Sequence, residues 1–187
     1  MGEVRIIGGQ WRRSKLSVPD KPGLRPTPDR VRETLFNWLG QDLKGWQVFD
    51  AFAGSGALGF EAASRGAAMV LMTDLDPHLV RSLQATASRL GAANVQVQRG
   101  DGVAALRAQA PQSLDLIFLD PPFASDCFEP ALQAAKLGVR PNGWVYLESP
   151  RAYSEVDCAH AGYRLHRQLK AGQVWAHLLA LCHDHGS

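Results

Sequence analysis

Cysteine is scarce and scattered. Cys127, Cys158 and Cys182 are the three in 187 residues, and no Cys-x-x-Cys pair occurs. That spacing argues against a disulfide framework or a cysteine zinc site, and it points to a reducing, cytoplasmic compartment. No apolar run approaches the roughly 20 residues needed to cross a bilayer. The longest, Val174 to Cys182, is short and interrupted by His177. Met1-Gly2-Glu3-Val4-Arg5 has no apolar stretch, so neither a secretory leader nor a membrane anchor is expected. Repeats and low-complexity segments are absent too. The closing Cys182-His183-Asp184-His185 has metal-ligating chemistry, but it is expected to be a frayed polar terminus with no metal bound.

A large net charge is also lacking, at +2, yet what charge there is sits unevenly. Residues 1–32 hold eight basic side chains against three acids, a surplus of five, so the rest of the chain sums to −3. A basic front on a mildly acidic body suits a polyanionic partner, and a solvated arm is the plainer alternative. Apolar residues at 45% and charged residues at 20% fit a soluble globular chain. The length predicts one domain over 1–187, with a basic arm (1–24) ahead of a core (25–187).

From residue 26 strand and helix signals alternate. Thr27 reads as an N-cap with Pro28 at the first helical position. Val31, Leu35, Trp38 and Leu39 form one apolar face, which Gly40 ends. Trp46 to Asp50 reads as a strand running into Gly54-Ser55-Gly56-Ala57-Leu58-Gly59 and a helix to about Arg65. Ala68 to Met72 is a second strand, ending at Thr73-Asp74. Asp76 and Pro77 then open a helix that Gly91 closes. Val95 and Val97 mark a third strand before Gly100-Asp101-Gly102, and Leu114 to Leu119 is apolar enough for a central parallel strand. A helix across Phe128, Leu132 and Ala135 precedes a fifth strand, Gly143 to Leu147. Two last strands, near Tyr163–Leu169 and Val174–Leu181, are joined by a short turn and should pair antiparallel. Val4, Ile6 and Gly8-Gly9 suggest a small N-terminal hairpin, with Leu16 and Val18 in its second strand. The sum is a mostly parallel, doubly wound α/β sheet with an antiparallel C-terminal hairpin.

Two constellations carry chemistry. The first is Asp50-Ala51-Phe52-Ala53-Gly54-Ser55-Gly56, with Asp74 twenty residues after Gly54. Glycines allow a tight strand-to-helix turn and close backbone approach to a ligand, and an acid at the next strand tip can accept from both ribose hydroxyls. The pattern indicates an adenosine-type cofactor, NAD or S-adenosylmethionine. Asp50, Phe52, Ala53, Gly54, Gly56, Asp74 and Leu75 are its candidate contacts. Asp101 and Gly102, after the third strand, join them, with Asp101 either accepting the adenine amino hydrogens or serving as an ordinary turn residue.

The second constellation is Asp120-Pro121-Pro122-Phe123. Two prolines remove two backbone donors and leave carbonyls free of competing N–H groups. An exocyclic amino group has two hydrogens to place, one on Asp120 and one on the Pro121 carbonyl, while Phe123 stacks on the base. This device aims a weak nitrogen nucleophile, and an oxidoreductase has no use for it. The alternative is a plain Pro-Pro turn.

Asp120-Pro121-Pro122-Phe123 is similar to the (Asn/Asp)-Pro-Pro-(Tyr/Phe) motif of amino methyltransferases, and Phe52-Ala53-Gly54-Ser55-Gly56 to their cofactor loop. Further stretches narrow the likeness: Arg5-Ile6-Ile7-Gly8-Gly9 with Arg12 and Lys15, Arg25-Pro26-Thr27 through Arg30, Glu33 and Phe36, and Ala171-Gly172-Gln173-Val174. Together they resemble the RsmD family, which methylates guanine N2 in 16S ribosomal RNA. Arg12-Arg13-Ser14-Lys15 stands where Arg-Gly-Arg-Lys is usual, and Asp74-Leu75-Asp76 where Glu-x-Asp is usual. The resemblance implies a class I Rossmann-like methyltransferase fold, S-adenosylmethionine as donor and S-adenosylhomocysteine as product. It implies catalytic roles for Asp120, Pro121, Pro122 and Phe123, and RNA contacts from Arg5, Arg12, Arg13, Lys15, Arg25 and Arg30. The substrate expected is 16S rRNA in a partly assembled small ribosomal subunit, with the enzyme a monomer. The rival readings are an amino methyltransferase for DNA, another RNA or protein, an NAD-dependent dehydrogenase, and an inactive RNA-binding module.

Overall fold

The computed structural model describes residues 2–182. A hairpin comes first, β1 (Gly2–Arg5) against β2 (Lys15–Val18), antiparallel with Val4 opposite Leu16. Its alternation places Val4, Leu16 and Val18 inward, as expected of a half-buried ribbon. The connection is not a tight turn at Gly8-Gly9. It is a long loop, in which Ile6 N donates to Ser14 O and Arg13, at φ 72°, donates from its own N back to Ile6 O.

Helix α1 (Asp29–Trp38) follows, and Thr27 does not cap it. Pro28 takes the cap position, and the Thr27 hydroxyl instead donates to the buried Glu148 Oε1 at 2.6 Å. A buried carboxylate is costlier to leave without donors than a solvated helix end, which explains the exchange.

The remaining elements are β3 (Gln47–Asp50), α2 (Ala57–Ser64), β4 (Met69–Asp74), α3 (Pro77–Leu90), β5 (Val95–Arg99), α4 (Gly102–Arg107), β6 (Leu114–Leu119), α5 (Phe128–Gly138), β7 (Val139–Ser149), α6 (Glu155–His160), β8 (Tyr163–Ala171) and β9 (Val174–Leu181). The sheet order is β5-β4-β3-β6-β7-β9-β8, and within it β9 alone runs against the rest. Strand order reverses between β3 and β6, which opens a crevice beyond their C-terminal ends. One apolar cluster, with α1, α2 and the N-terminal hairpin, covers one face, and a second, with α4, α5 and α6, covers the other. The short helices α4 and α6 were not expected from the sequence. Each turns fewer than two times and buries only a few side chains, too little to produce a helical period.

The hairpin is fastened rather than loose. Glu61 on α2, fully buried, accepts from the backbone N–H groups of Ile7 and Gly8, each at 2.9 Å, and pairs with Arg32 at 3.1 Å and Arg65 at 2.9 Å. Gln10 N and Trp11 N donate to Ser64 at the end of the same helix. A Cβ on Gly9 would lie 1.9 Å from the Ser64 carbonyl oxygen, so only glycine permits this approach.

Candidate active site

The glycine loop after β3 is strapped to β4. Ala53 N donates to Thr73 O, and Gly54 N donates to Asp74 Oδ2, both at 2.9 Å, while the Thr73 hydroxyl donates to Ala51 O. Gly54 and Gly56 have φ of +55° and +82°, and Gly56 caps α2 in the left-handed region that glycine alone enters freely. Asp74 also accepts from Asp76 N at 2.9 Å, so both its oxygens are held in place at the strand tip. Phe52 is partly exposed, Ala53 is buried, and Leu75 projects with 67% of its surface exposed.

Asp101 is an N-cap: its side chain accepts from Val103 N at the start of α4. Gly102 presses against the loop itself, since a Cβ there would sit 1.9 Å from Ala51 O. This glycine therefore brings α4 close to the crevice, through contact with the loop backbone.

Asp50 ends β3 beneath the loop, fully buried, with Oδ1 lacking any partner among the described residues. Burial, aided by the Asp74 charge, pushes its carboxyl up to about 7, although the Phe52 and Gly59 N–H groups oppose the shift. A buried carboxylate oxygen left without a donor suits a cationic ligand such as an ammonium or sulfonium group.

Asp120 follows β6 on the same sheet edge. The Pro122 carbonyl is taken by Ser125, which donates to it from both N–H and hydroxyl. The Pro121 carbonyl accepts no hydrogen bond among the described residues. Phe123 is 41% exposed and so open to a flat ligand. Burial raises the Asp120 carboxyl well above the usual carboxylate range, and the Glu148 and Asp50 charges add to this.

Sequence reasoning missed Glu148. It ends the apolar stretch Trp144-Val145-Tyr146-Leu147 of β7 and is buried. Its Oε1 accepts from Thr27 Oγ1 at 2.6 Å and Tyr146 OH at 2.8 Å, and the β6–β7 register, Leu119 beside Leu147, sets its carboxyl next to that of Asp120. Burial raises its carboxyl too, against the pull of those donors. The available signal was a carboxylate inside an otherwise apolar strand, which chains seldom tolerate without a purpose.

Of the six basic candidates, all exposed, Arg12 and Arg13 lie away from this edge. The hairpin loop docks where α2 ends, so Arg12 and Arg13 sit at the opposite edge of the sheet. Arg5 and Lys15 pair with Glu3 in the same ribbon, where Arg89 from the last turn of α3 donates to the Lys15 carbonyl. Arg12 lines a groove of about 790 Å³ there, together with Glu33, Asn37, Asp42 and Arg65. Arg25 and Arg30 flank Thr27 and so lie toward the edge that holds Glu148 and Asp120. Cys182 is exposed, and the histidines and aspartate expected to frame it lie outside the described residues. No helix among those described is long and apolar enough to cross a membrane.

A family model described as conserved hypothetical protein 95 matches residues 4–180. Ribosomal RNA small subunit methyltransferase D of Escherichia coli (strain K12) is 42% identical over 179 residues, covering 92% of this chain and 87% of that protein. Its namesake in Haemophilus influenzae is 40% identical over 155 residues, 80% of each chain. The solved structure of yhhF from Escherichia coli superposes with a TM-score of 0.80 at 40% identity, over 96% of this chain and 98% of that one. A SAM-dependent methyltransferase from Aquifex aeolicus, at 19% identity, shares the fold with a TM-score of 0.60, over 83% of this chain and 93% of that one.

Proposed function

The chain belongs to the RsmD family, the family of conserved hypothetical protein 95, and its fold is that of the Rossmann-like methyltransferases. On that premise we propose that it methylates ribosomal RNA of the small subunit, taking the methyl from S-adenosylmethionine and delivering it to the exocyclic N2 of a guanine. The proposal extends to residues 1–187 acting as one unit, as a monomer, in the cytoplasm, on 16S rRNA already carrying some small-subunit proteins.

The observation that carries this reading is the pairing of a free Pro121 carbonyl with Asp120 beside an exposed Phe123, on the same sheet edge as the Gly54–Asp74 loop. S-adenosylmethionine supplies an electrophilic methyl on a sulfonium. The residues would hold it by its parts: Asp74 at the ribose, the backbone around Phe52, Ala53, Gly54 and Gly56 along its length, Asp50 at the cationic end, and Leu75 and Asp101-Gly102 beside the adenine. Asp120 and Pro121 accept the two amino hydrogens and turn the nitrogen lone pair toward the methyl. Phe123 stacks on the base, flipped most cheaply from a single-stranded loop. Such orientation is worth about 7–11 kcal/mol of barrier. As nitrogen becomes cationic on gaining the methyl, Asp120 is the acceptor beside the proton it must lose. A nicotinamide dehydrogenase would leave Asp120 to Phe123 without a task.

The test is single-turnover methyl transfer to small-subunit rRNA with cofactor and RNA saturating. Asp120→Ala removes a charge-assisted hydrogen bond and should slow transfer roughly ten- to a hundredfold, with cofactor affinity nearly unchanged. A near-wild-type rate would reduce Asp120 to Phe123 to a structural turn.

A further inference from the structure

Glu148 is a buried acid with no assigned task, and its surroundings are unusual in kind. Three carboxyls meet at the catalytic edge: Asp50 from β3, Asp120 after β6 and Glu148 from β7, with Asp74 of β4 acting on Asp50 from the side. Among the described residues no Lys, Arg or His forms an ion pair with Asp50, Asp120 or Glu148. The neutral groups facing Glu148 are the Thr27 and Tyr146 hydroxyls, and both donate to one oxygen, Oε1. Next to it, by the register that sets Leu119 beside Leu147, stands the Asp120 carboxyl, another acceptor when ionised. Two adjoining carboxyls, Glu148 buried and Asp120 partly so, with no cation beside them among the described residues, favour keeping one proton between them over carrying two charges.

We propose that Glu148 is a positioning residue for methyl transfer: fixed through Oε1 by Thr27 and Tyr146, it holds a shared proton against Asp120 and so aims the Asp120 carboxylate at the incoming amino group. In the free protein the two carboxyls hold one proton between them. When the amino group docks, that proton settles on Glu148, which donates to Asp120 and leaves it a charged acceptor in fixed orientation. Thr27, sent to Glu148 instead of capping α1, becomes part of the catalytic edge by this route. A glutamine at 148 would satisfy the same partners, its oxygen accepting from Thr27 and Tyr146 and its amide donating to Asp120.

The proposal rests on the methyl-transfer reading for its consequence, though not for the proton itself. Two measurements separate these. Carboxyl-carbon NMR titration of the ligand-free protein should show Asp120 and Glu148 titrating in two linked steps, the upper well above the usual carboxylate range. In Glu148→Gln, Asp120 should titrate in a single step at lower pH. Single-turnover transfer by Glu148→Gln should stay within about threefold of wild type at neutral pH, because its donor is kept. Glu148→Ala should be about tenfold slower or worse, from the lost donor and acceptor. Cofactor affinity should change little in either variant. The wild-type rate should fall on the alkaline side, where the pair loses its last proton and the two charges repel. Glu148→Gln should lack that limb. An Asp120 titration identical in wild type and Glu148→Gln overturns the shared proton. A Gln variant as slow as the Ala variant overturns the positioning role. If the wild type transfers no methyl to rRNA, the functional reading fails, and the NMR titration still decides the pair.

Discussion

Glu61→Gln tests whether the N-terminal hairpin is part of the folded core. Each Glu61 oxygen takes two donors: Ile7 N and Arg32 Nη1 on Oε2, Gly8 N and Arg65 Nε on Oε1. Glutamine keeps the shape and leaves no cavity, so the change isolates charge and hydrogen bonding. Its oxygen can serve one pair of donors, and its NH₂ must then face the other pair, donor against donor. Two buried guanidinium groups also lose their shared counter-charge, and among the described residues only Arg32 has a second carboxylate, that of Asp29. Removing one member of a buried ion pair costs about 3–5 kcal/mol, and the mismatched donors are part of that sum. With an m-value of about 2 kcal/mol per molar urea, the unfolding midpoint should drop by roughly 1.5–2.5 M. The thermal midpoint should fall by about 6–20 °C for a chain of this size. Hydrogen exchange at the Ile7 and Gly8 amides should quicken, because their acceptor is weakened. Cofactor affinity measured in native buffer should hold, since Glu61 lies on α2 away from the glycine loop. A midpoint shift below about 0.5 M would refute the reasoning, meaning that the network relaxes around the amide or that water enters.

Gly102→Ala should cost about 1–3 kcal/mol, since its Cβ meets the Ala51 carbonyl rather than a movable side chain; chemical denaturation reads this directly. Gly56→Val should abolish S-adenosylmethionine binding in calorimetry, because φ is +82° and Leu83 and Phe60 lie 2.6 Å from any Cβ. Asp50 gives the ligand-free protein a pH dependence: its carboxyl, at 3.8 when exposed and about 7 when folded, contributes stability that is complete below pH 4 and lost as pH rises to 7. Asp50→Asn should match wild type near pH 4 and exceed it by up to about 4 kcal/mol at pH 8 in urea unfolding, while binding the cationic cofactor more weakly. Arg12→Ala with Arg13→Ala should weaken rRNA binding and flatten its salt dependence by roughly one unit of slope per lost phosphate contact, with the rate at saturating RNA unchanged.

What could be read from the chain divides by sequence distance. The glycine loop and Asp120-Pro121-Pro122-Phe123 announce themselves because positive-φ glycines and paired prolines act within a few residues of where they stand, and the strand before each loop is apolar in a single run. Their meeting on one edge follows from the parallel order β4-β3-β6-β7, which alternation of strand and helix already implies. Glu148 and Thr27 are 121 residues apart, and Glu61 lies more than 50 from the amides it holds. No local pattern registers such pairs, and Thr27 even carried a sound local argument for capping α1, which a buried carboxylate outbid. Both missed acids nonetheless share a local mark. Glu61 is the one charged residue in Ala57-Leu58-Gly59-Phe60-Glu61-Ala62-Ala63-Ser64, a helix buried on every side, and Glu148 closes an apolar strand. An ionisable group in a segment that cannot face water must find partners elsewhere in the fold. Those partners differ in a way that separates structure from chemistry. Glu61 is met by two guanidiniums and two amides, which satisfy it within the fold. Glu148 is met by hydroxyls and another acid, with no cation to balance it among the described residues, and a site built that way is complete only with a proton or a positive ligand in it.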